Sequence, residues 1–121
     1  MFLGETIPQI ASNENLRQSR RGTNPEQLFA AGYAASFLSA MRYVAARDTL
    51  AIPPEITVEG TVGVGAIPQG FGIEGELRIA LPGLSDYAAE ALVNTAHEVC
   101  AYSNATRGNL AVRLVLVSSH A

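Results

Sequence analysis

Cysteine is nearly absent from this chain: Cys100 stands alone among 121 residues. A lone thiol excludes a disulfide within the chain and fits a reducing cytoplasm. Charge is also scarce, at 16% of residues, and no uncharged run approaches the roughly 20 residues that a membrane helix needs. The formal net charge is only −3, which argues against a nucleic-acid or anionic-membrane surface. A basic leader is missing too: "MFLGETIPQIASNENLRQSRRGT" opens on a short apolar stretch, so no signal peptide is expected. What is present is one domain's length of chain, 48% hydrophobic, and apolar enough that a second copy is expected to supply part of its cover.

Residues 1–22 are expected to form an irregular arm, with Arg17, Arg20 and Arg21 near its end and a short strand around Glu5 to Ile10. Residues 23–121 are expected to form a single domain. Its first helix starts at Thr23 or Asn24: Thr23 and Glu26 make a T-x-x-E capping box, while an Asn24 cap would put Pro25 at the first helical position. The helix is expected to run to about Arg47, and its fourteen residues from Leu28 to Met41 carry no charge. Gly32 is a weak point or a close-packing site within it, and "IPPE", Ile52 to Glu55, stops any helix.

Two strands follow with a period of two. Ile56, Val58, Val62 and Val64 share one face of the first, and Phe71, Ile73, Leu77, Ile79 and Leu81 one face of the second. Pro68 and Gly70 lie between them, which predicts an antiparallel hairpin, and Gly60 and Gly75 mark a bulge or a close helix approach. "PGLSDYAAEALVNTAHEVC" is a second helix capped by Ser85, with a buried stripe at Leu92, Ala96 and Val99. "AYSNATRGN" reads as a turn and "LAVRLVLV" as a final strand, giving an α+β class.

Several chemistries can be weighed on these residues. Ser36, His97 and Glu26 could form a hydrolase triad, but "AASFL" lacks the G-x-S-x-G elbow and favours a small packing residue. His97 and Cys100 could share a metal, yet two ligands are too few for a closed zinc site. "GVGAIPQGFG" opens no helix and fails the dinucleotide fingerprint, and the three arginines read as a solvated patch. Cys100 ends a helix, where the dipole disfavours a thiolate, so chemistry alone makes it a structural thiol.

"TNPEQLFAAGY" with "ASF", the hairpin segment "GAIPQGFGIE", and "AHEVCAYSNATRGN" resemble the organic hydroperoxide resistance family of the OsmC superfamily, in the family's order from Thr23 to Val117. The resemblance implies a thiol-dependent peroxidase for organic and fatty-acid hydroperoxides. It also implies an intertwined homodimer whose antiparallel sheet packs on a long buried central helix. No cofactor is implied, and a lipoylated protein would be the reductant. By position, Cys100 matches the resolving cysteine, Glu26 the glutamate that orients a catalytic arginine, and Ser36 the peroxidatic cysteine.

A serine there cannot climb the oxidation ladder of a thiolate. Ala101 stands in place of the family's proline, the N-terminal strands are expected to be shortened, and no arginine takes the catalytic role by motif. The expectation is therefore a diverged dimer without two-cysteine peroxidase activity. The alternatives are an apolar or fatty-acid ligand-binding dimer, a one-cysteine peroxidase using Cys100, and an engineered Cys-to-Ser variant of an active enzyme.

Overall fold

A computed structural model describes residues 24–117, in the order α1 (Pro25–Arg47), β1 (Thr57–Ile67), β2 (Gly70–Ala80), α2 (Asp86–Val99), α3 (Ala101–Thr106) and β3 (Val112–Val117). The N-terminal arm, its expected strand near Glu5 to Ile10, the arginines Arg17, Arg20 and Arg21, and Thr23 all lie outside the described residues.

Asn24 caps α1. Its side-chain oxygen accepts the Gln27 N–H at 2.8 Å, and Pro25 takes the first turn, where a missing N–H costs nothing. At the other end the Asp48 N–H reaches the Val44 carbonyl and the Leu50 N–H reaches that of Ala45. Thr49, between them, adopts a φ of 56°, so the helix ends before the prolines are reached. A β-branched residue in the left-handed region is strained by its own Cβ. Thr49→Gly is expected to raise stability by about 1 kcal/mol, read as a higher urea midpoint. A lower midpoint would show that the threonine side chain more than offsets its backbone.

β1 and β2 pair antiparallel from Thr57↔Ala80 to Ile67↔Gly70, leaving Pro68 and Gln69 as the turn. β3 runs parallel to β2, from Gly75↔Val112 to Ala80↔Val117, so the sheet order is β1-β2-β3. α1 lies against β1 and also against α2 and α3. Phe37, Met41, Val58, Leu77 and Ile79 fill the core between these layers. Gly60 permits the contact: a β-carbon there would sit 2.5 Å from the Ala30 carbonyl oxygen of α1. Gly75 has no helix above it, and its N–H pairs with the Ala111 carbonyl at 3.0 Å instead. The outer sheet face is polar, and Arg113 beside Glu76 holds that carboxyl below its ordinary range. No helix among the described residues is long and apolar enough to cross a membrane.

Three expectations fail. The sheet is mixed rather than antiparallel, because a helical crossover brings β3 back beside β2 in the same direction. Val64, Phe71 and Ile73 continue the alternation of their strands, yet all three are exposed, Phe71 by 81%. The ladder runs on past the end of α1, so the pattern persists where its cover does not. "AYSNATRGN" is also more than a turn, because Ala101–Thr106 closes into α3, with the Asn104 N–H bonded to the Cys100 carbonyl. Its serine, asparagine and threonine are turn formers by propensity, and tertiary contacts override that preference. α1 buries one face, and Leu28 and Tyr43 project from it into the open.

Candidate functional site

The side chains with chemical potential gather where α1 passes the α2–α3 junction. Cys100 is the whole of that junction. Its N–H donates to the Ala96 carbonyl and closes α2, while its own carbonyl accepts from Asn104 and opens α3. An extended ψ of 126° separates the two helices at this one residue. The sequence placed Cys100 at a helix end, and a second helix also begins there. Its thiol is 1% exposed.

Ser36 comes to it from α1. The Ser36 hydroxyl oxygen and Cys100 sulfur lie 3.4 Å apart, across 64 residues of chain. The positions matched by resemblance to the two cysteines are thus in contact. Glu26 is not part of that contact. Ten residues earlier on α1, it stands about 15 Å away along the helix axis. It is half-buried and makes no ion pair among the described residues. Nor does a triad assemble: His97 Nδ1 bonds the Ser103 hydroxyl at 2.8 Å, while the hydroxyl of Ser36 meets Cys100. The described residues also contain no group of three or more His, Cys, Asp and Glu able to hold a metal.

Sequence reasoning missed a buried polar chain beside this pair. Ser103, with no exposed surface, meets Tyr33 Oη at 2.8 Å as well as His97. Tyr33 lies 3.4 Å from the Thr106 hydroxyl, which donates to the Ser103 carbonyl at 3.2 Å. A hydroxyl has one proton to give, so a single direction satisfies every contact. His97 Nδ1–H donates to Ser103, Ser103 to Tyr33, Tyr33 to Thr106, and Thr106 to the backbone. The available signal was a phenol inside an uncharged run and two hydroxyls three residues apart on "SNAT". Packing around the chain is aromatic: Phe29, Tyr33 and Tyr102 stand with ring centroids 5.6–6.1 Å apart. Gly32 is a close-packing site after all, since a β-carbon there would lie 3.1 Å from Tyr102 Oη.

Burial, and then the nearby Arg107 guanidinium, lower the pKa of His97 below the ordinary histidine value of 6.5, while Glu98 opposes them. Arg107 also donates to the His97 carbonyl at 2.7 Å. The folded state therefore binds fewer protons than the unfolded chain below that pH, and stability falls as pH drops through 6.5 toward the folded pKa. His97→Asn, which keeps an amide donor without a titrating ring, is expected to flatten this slope in urea melts from pH 7.5 to 5.5. An unchanged slope would place the effect on other groups.

A separate groove of about 820 Å³ opens between the free half of the hairpin and the start of α1. Phe29, Val64, Ile67, Phe71, Ile73 and Leu110 line it, with Glu74, Thr106 and Asn109 supplying polar atoms. Ser36 and Cys100 are not among its lining residues.

Comparison with known proteins gives this arrangement a context. The family described as "OsmC-like protein" matches residues 17–115. An organic hydroperoxide resistance protein of Xanthomonas axonopodis pv. citri is 60% identical over 95 residues, covering 78% of this chain and 67% of the relative. Among solved structures, an organic hydroperoxide resistance protein from Legionella pneumophila superposes with a TM-score of 0.76 at 47% identity, covering 79% of this chain and 70% of that one. OhrB of Bacillus subtilis gives 0.76 at 43% identity, covering 84% and 76%.

Proposed function

The chain belongs to the organic hydroperoxide resistance family of OsmC-like proteins, and from that premise we propose that it is a peroxidase-derived homodimer unable to run the two-cysteine cycle. One observation carries the proposal: a hydroxyl meets a thiol, at 3.4 Å, where that cycle needs two thiols in contact. In the cycle a thiolate attacks a peroxide oxygen, expels the alkoxide and becomes a sulfenic acid. The second thiol then condenses with it, releasing water and leaving a disulfide that a lipoylated protein reduces. Ser36 can take neither step, because its hydroxyl holds its proton near neutral pH and has no sulfur to oxidise. Glu26 keeps the family's glutamate at the head of α1, which supports descent from a working enzyme.

The dimer has support in the exposed stripe of Val64, Phe71 and Ile73, since apolar surface of that kind marks an interaction site. A single buried thiol fits residence in the cytoplasm. The test is consumption of tert-butyl hydroperoxide with dihydrolipoamide as reductant. No rate above the uncatalysed background is expected, and rapid turnover would overturn the proposal.

A second function has its own observation. The groove beside Phe29 is apolar with a few polar atoms, the usual form of a small-ligand site, and suits a fatty acid or a related molecule. Native mass spectrometry on the purified dimer, with fatty acids added, is expected to show a bound adduct. A bare dimer, with no rise in melting temperature, would remove this function.

A further inference from the structure

The polar chain and the Ser36–Cys100 pair share a geometry that packing alone does not require. Tyr33 stands three residues before Ser36 on α1, and His97 three residues before Cys100 on α2. Ser103 stands three residues after Cys100 on α3. Each polar group is therefore about one helical turn from one member of the pair. Both of the short contacts, at 2.8 Å, converge on the Ser103 hydroxyl. We propose that Ser103 is the positioning residue of the Ser36–Cys100 site, tying Tyr33 of α1 to His97 of α2 and so fixing the separation of the two side chains.

Cys100 is a one-residue join between helices, so a small change in its ψ would swing α3 relative to α2. Neither helix alone restrains that swing. Ser103 does, because it belongs to α3 yet bonds a residue on each neighbouring helix. Its hydroxyl is fully buried, so an alternative partner in water is not available when the bonds break. Tyr33, through Thr106, returns the chain to the α3 backbone and closes the loop. The Ser36–Cys100 contact, of ordinary length for sulfur but weak as a hydrogen bond, cannot hold the helices by itself. The proposal rests on reading positions 36 and 100 as one site.

The experiment makes that separation measurable by placing a second sulfur in it. The Ser36→Cys protein is equilibrated with glutathione buffers. Two protein thiols give two electrons and two protons to one glutathione disulfide, which leaves as two glutathione thiols while one S–S bond forms in the protein. The equilibrium constant reports how well the native fold presents the two sulfurs. Adding Ser103→Ala is expected to lower that constant about tenfold, equivalent to about 30 mV. Tyr33→Phe, which removes only an oxygen, is expected to lower it in the same direction. His97→Leu is expected to lower it, and His97→Asn, which can still donate to Ser103, to restore it.

Val44→Ala supplies the contrast, because Val44 is buried on α1 about 12 Å beyond Ser36 and touches none of these hydroxyls. It is expected to lower the urea midpoint and leave the constant alone. An unchanged constant in both Ser103→Ala and Tyr33→Phe would overturn the proposal. So would an equal drop in Val44→Ala, or a Ser36→Cys protein that forms no disulfide with Ser103 intact. Hydroperoxide turnover is read separately. A normal constant without turnover in the Ser36→Cys protein would place the peroxidase defect beyond position 36 and leave the positioning role standing.

Discussion

Ser36→Cys is expected to turn this chain into a protein that closes a disulfide with Cys100 and consumes organic hydroperoxide. The two side chains already touch, so the new sulfur needs only a side-chain rotation and a small approach to bond. Oxidation with diamide then closes a loop across 64 residues of chain. In the chain-entropy picture such a link stabilises the fold by about 4 kcal/mol, less any strain it introduces. The oxidised variant should therefore melt well above its reduced form. Hydroperoxide consumption with dihydrolipoamide should rise roughly 10²–10³-fold, since a missing nucleophile is among the most damaging losses an active site can suffer. Adding Cys100→Ser should remove the disulfide and sharply reduce sustained turnover. If Ser36→Cys forms the disulfide but stays inert toward hydroperoxide, the defect lies beyond position 36, and Ala101 becomes the next residue to exchange for proline.

Gly60→Ala should be nearly as damaging, for a purely steric reason. The added β-carbon would lie 2.5 Å from the Ala30 carbonyl oxygen and 3.2 Å from its carbon. Both belong to the helix backbone, so no side-chain rotation can make room. α1 must lift from β1, opening the core around Phe37, Met41 and Val58. Overpacking of a close contact costs about 1–3 kcal/mol, and a backbone clash belongs at or above the top of that range. Gly65→Ala is the matched control: the same strand, with nothing within 4 Å of the new carbon. It should be neutral or slightly stabilising, because alanine loses less backbone freedom on folding than glycine. Equal urea midpoints for the two variants would mean that α1 and β1 can part cheaply.

Most of this fold could be read from local chemistry. Asn24 with Pro25, Ser85 with Asp86, and the alternation from Ile56 to Leu81 each depend on neighbours close in sequence, and each landed within a residue or two. Gly60 was legible as a break in a strand's apolar face. What escaped depends on distant partners. Ser103 and Tyr33 are 70 residues apart, and nothing near either one says that it will be buried against the other. α3 escaped because its residues favour turns, and only the packing of the junction winds them into a helix. Phe71 escaped in the opposite sense: its strand pattern promises burial, which depends on what lies above the sheet at that point. The Ser36–Cys100 pair became legible only through the family resemblance, because neither residue's surroundings announce the other.

The hairpin is a cantilever. Each of its strands has eleven residues, about 36 Å of backbone, and α1 supports only the end near Thr57 and Ala80. Beyond that support the two strands hold one another through backbone pairing, with little side-chain packing to stiffen them. A force applied at Phe71 therefore acts on a long arm whose fulcrum is the Gly60–Ala30 contact, where strand and helix backbones leave no room for a β-carbon. Anything that grips the tip levers directly against the helix that carries Ser36.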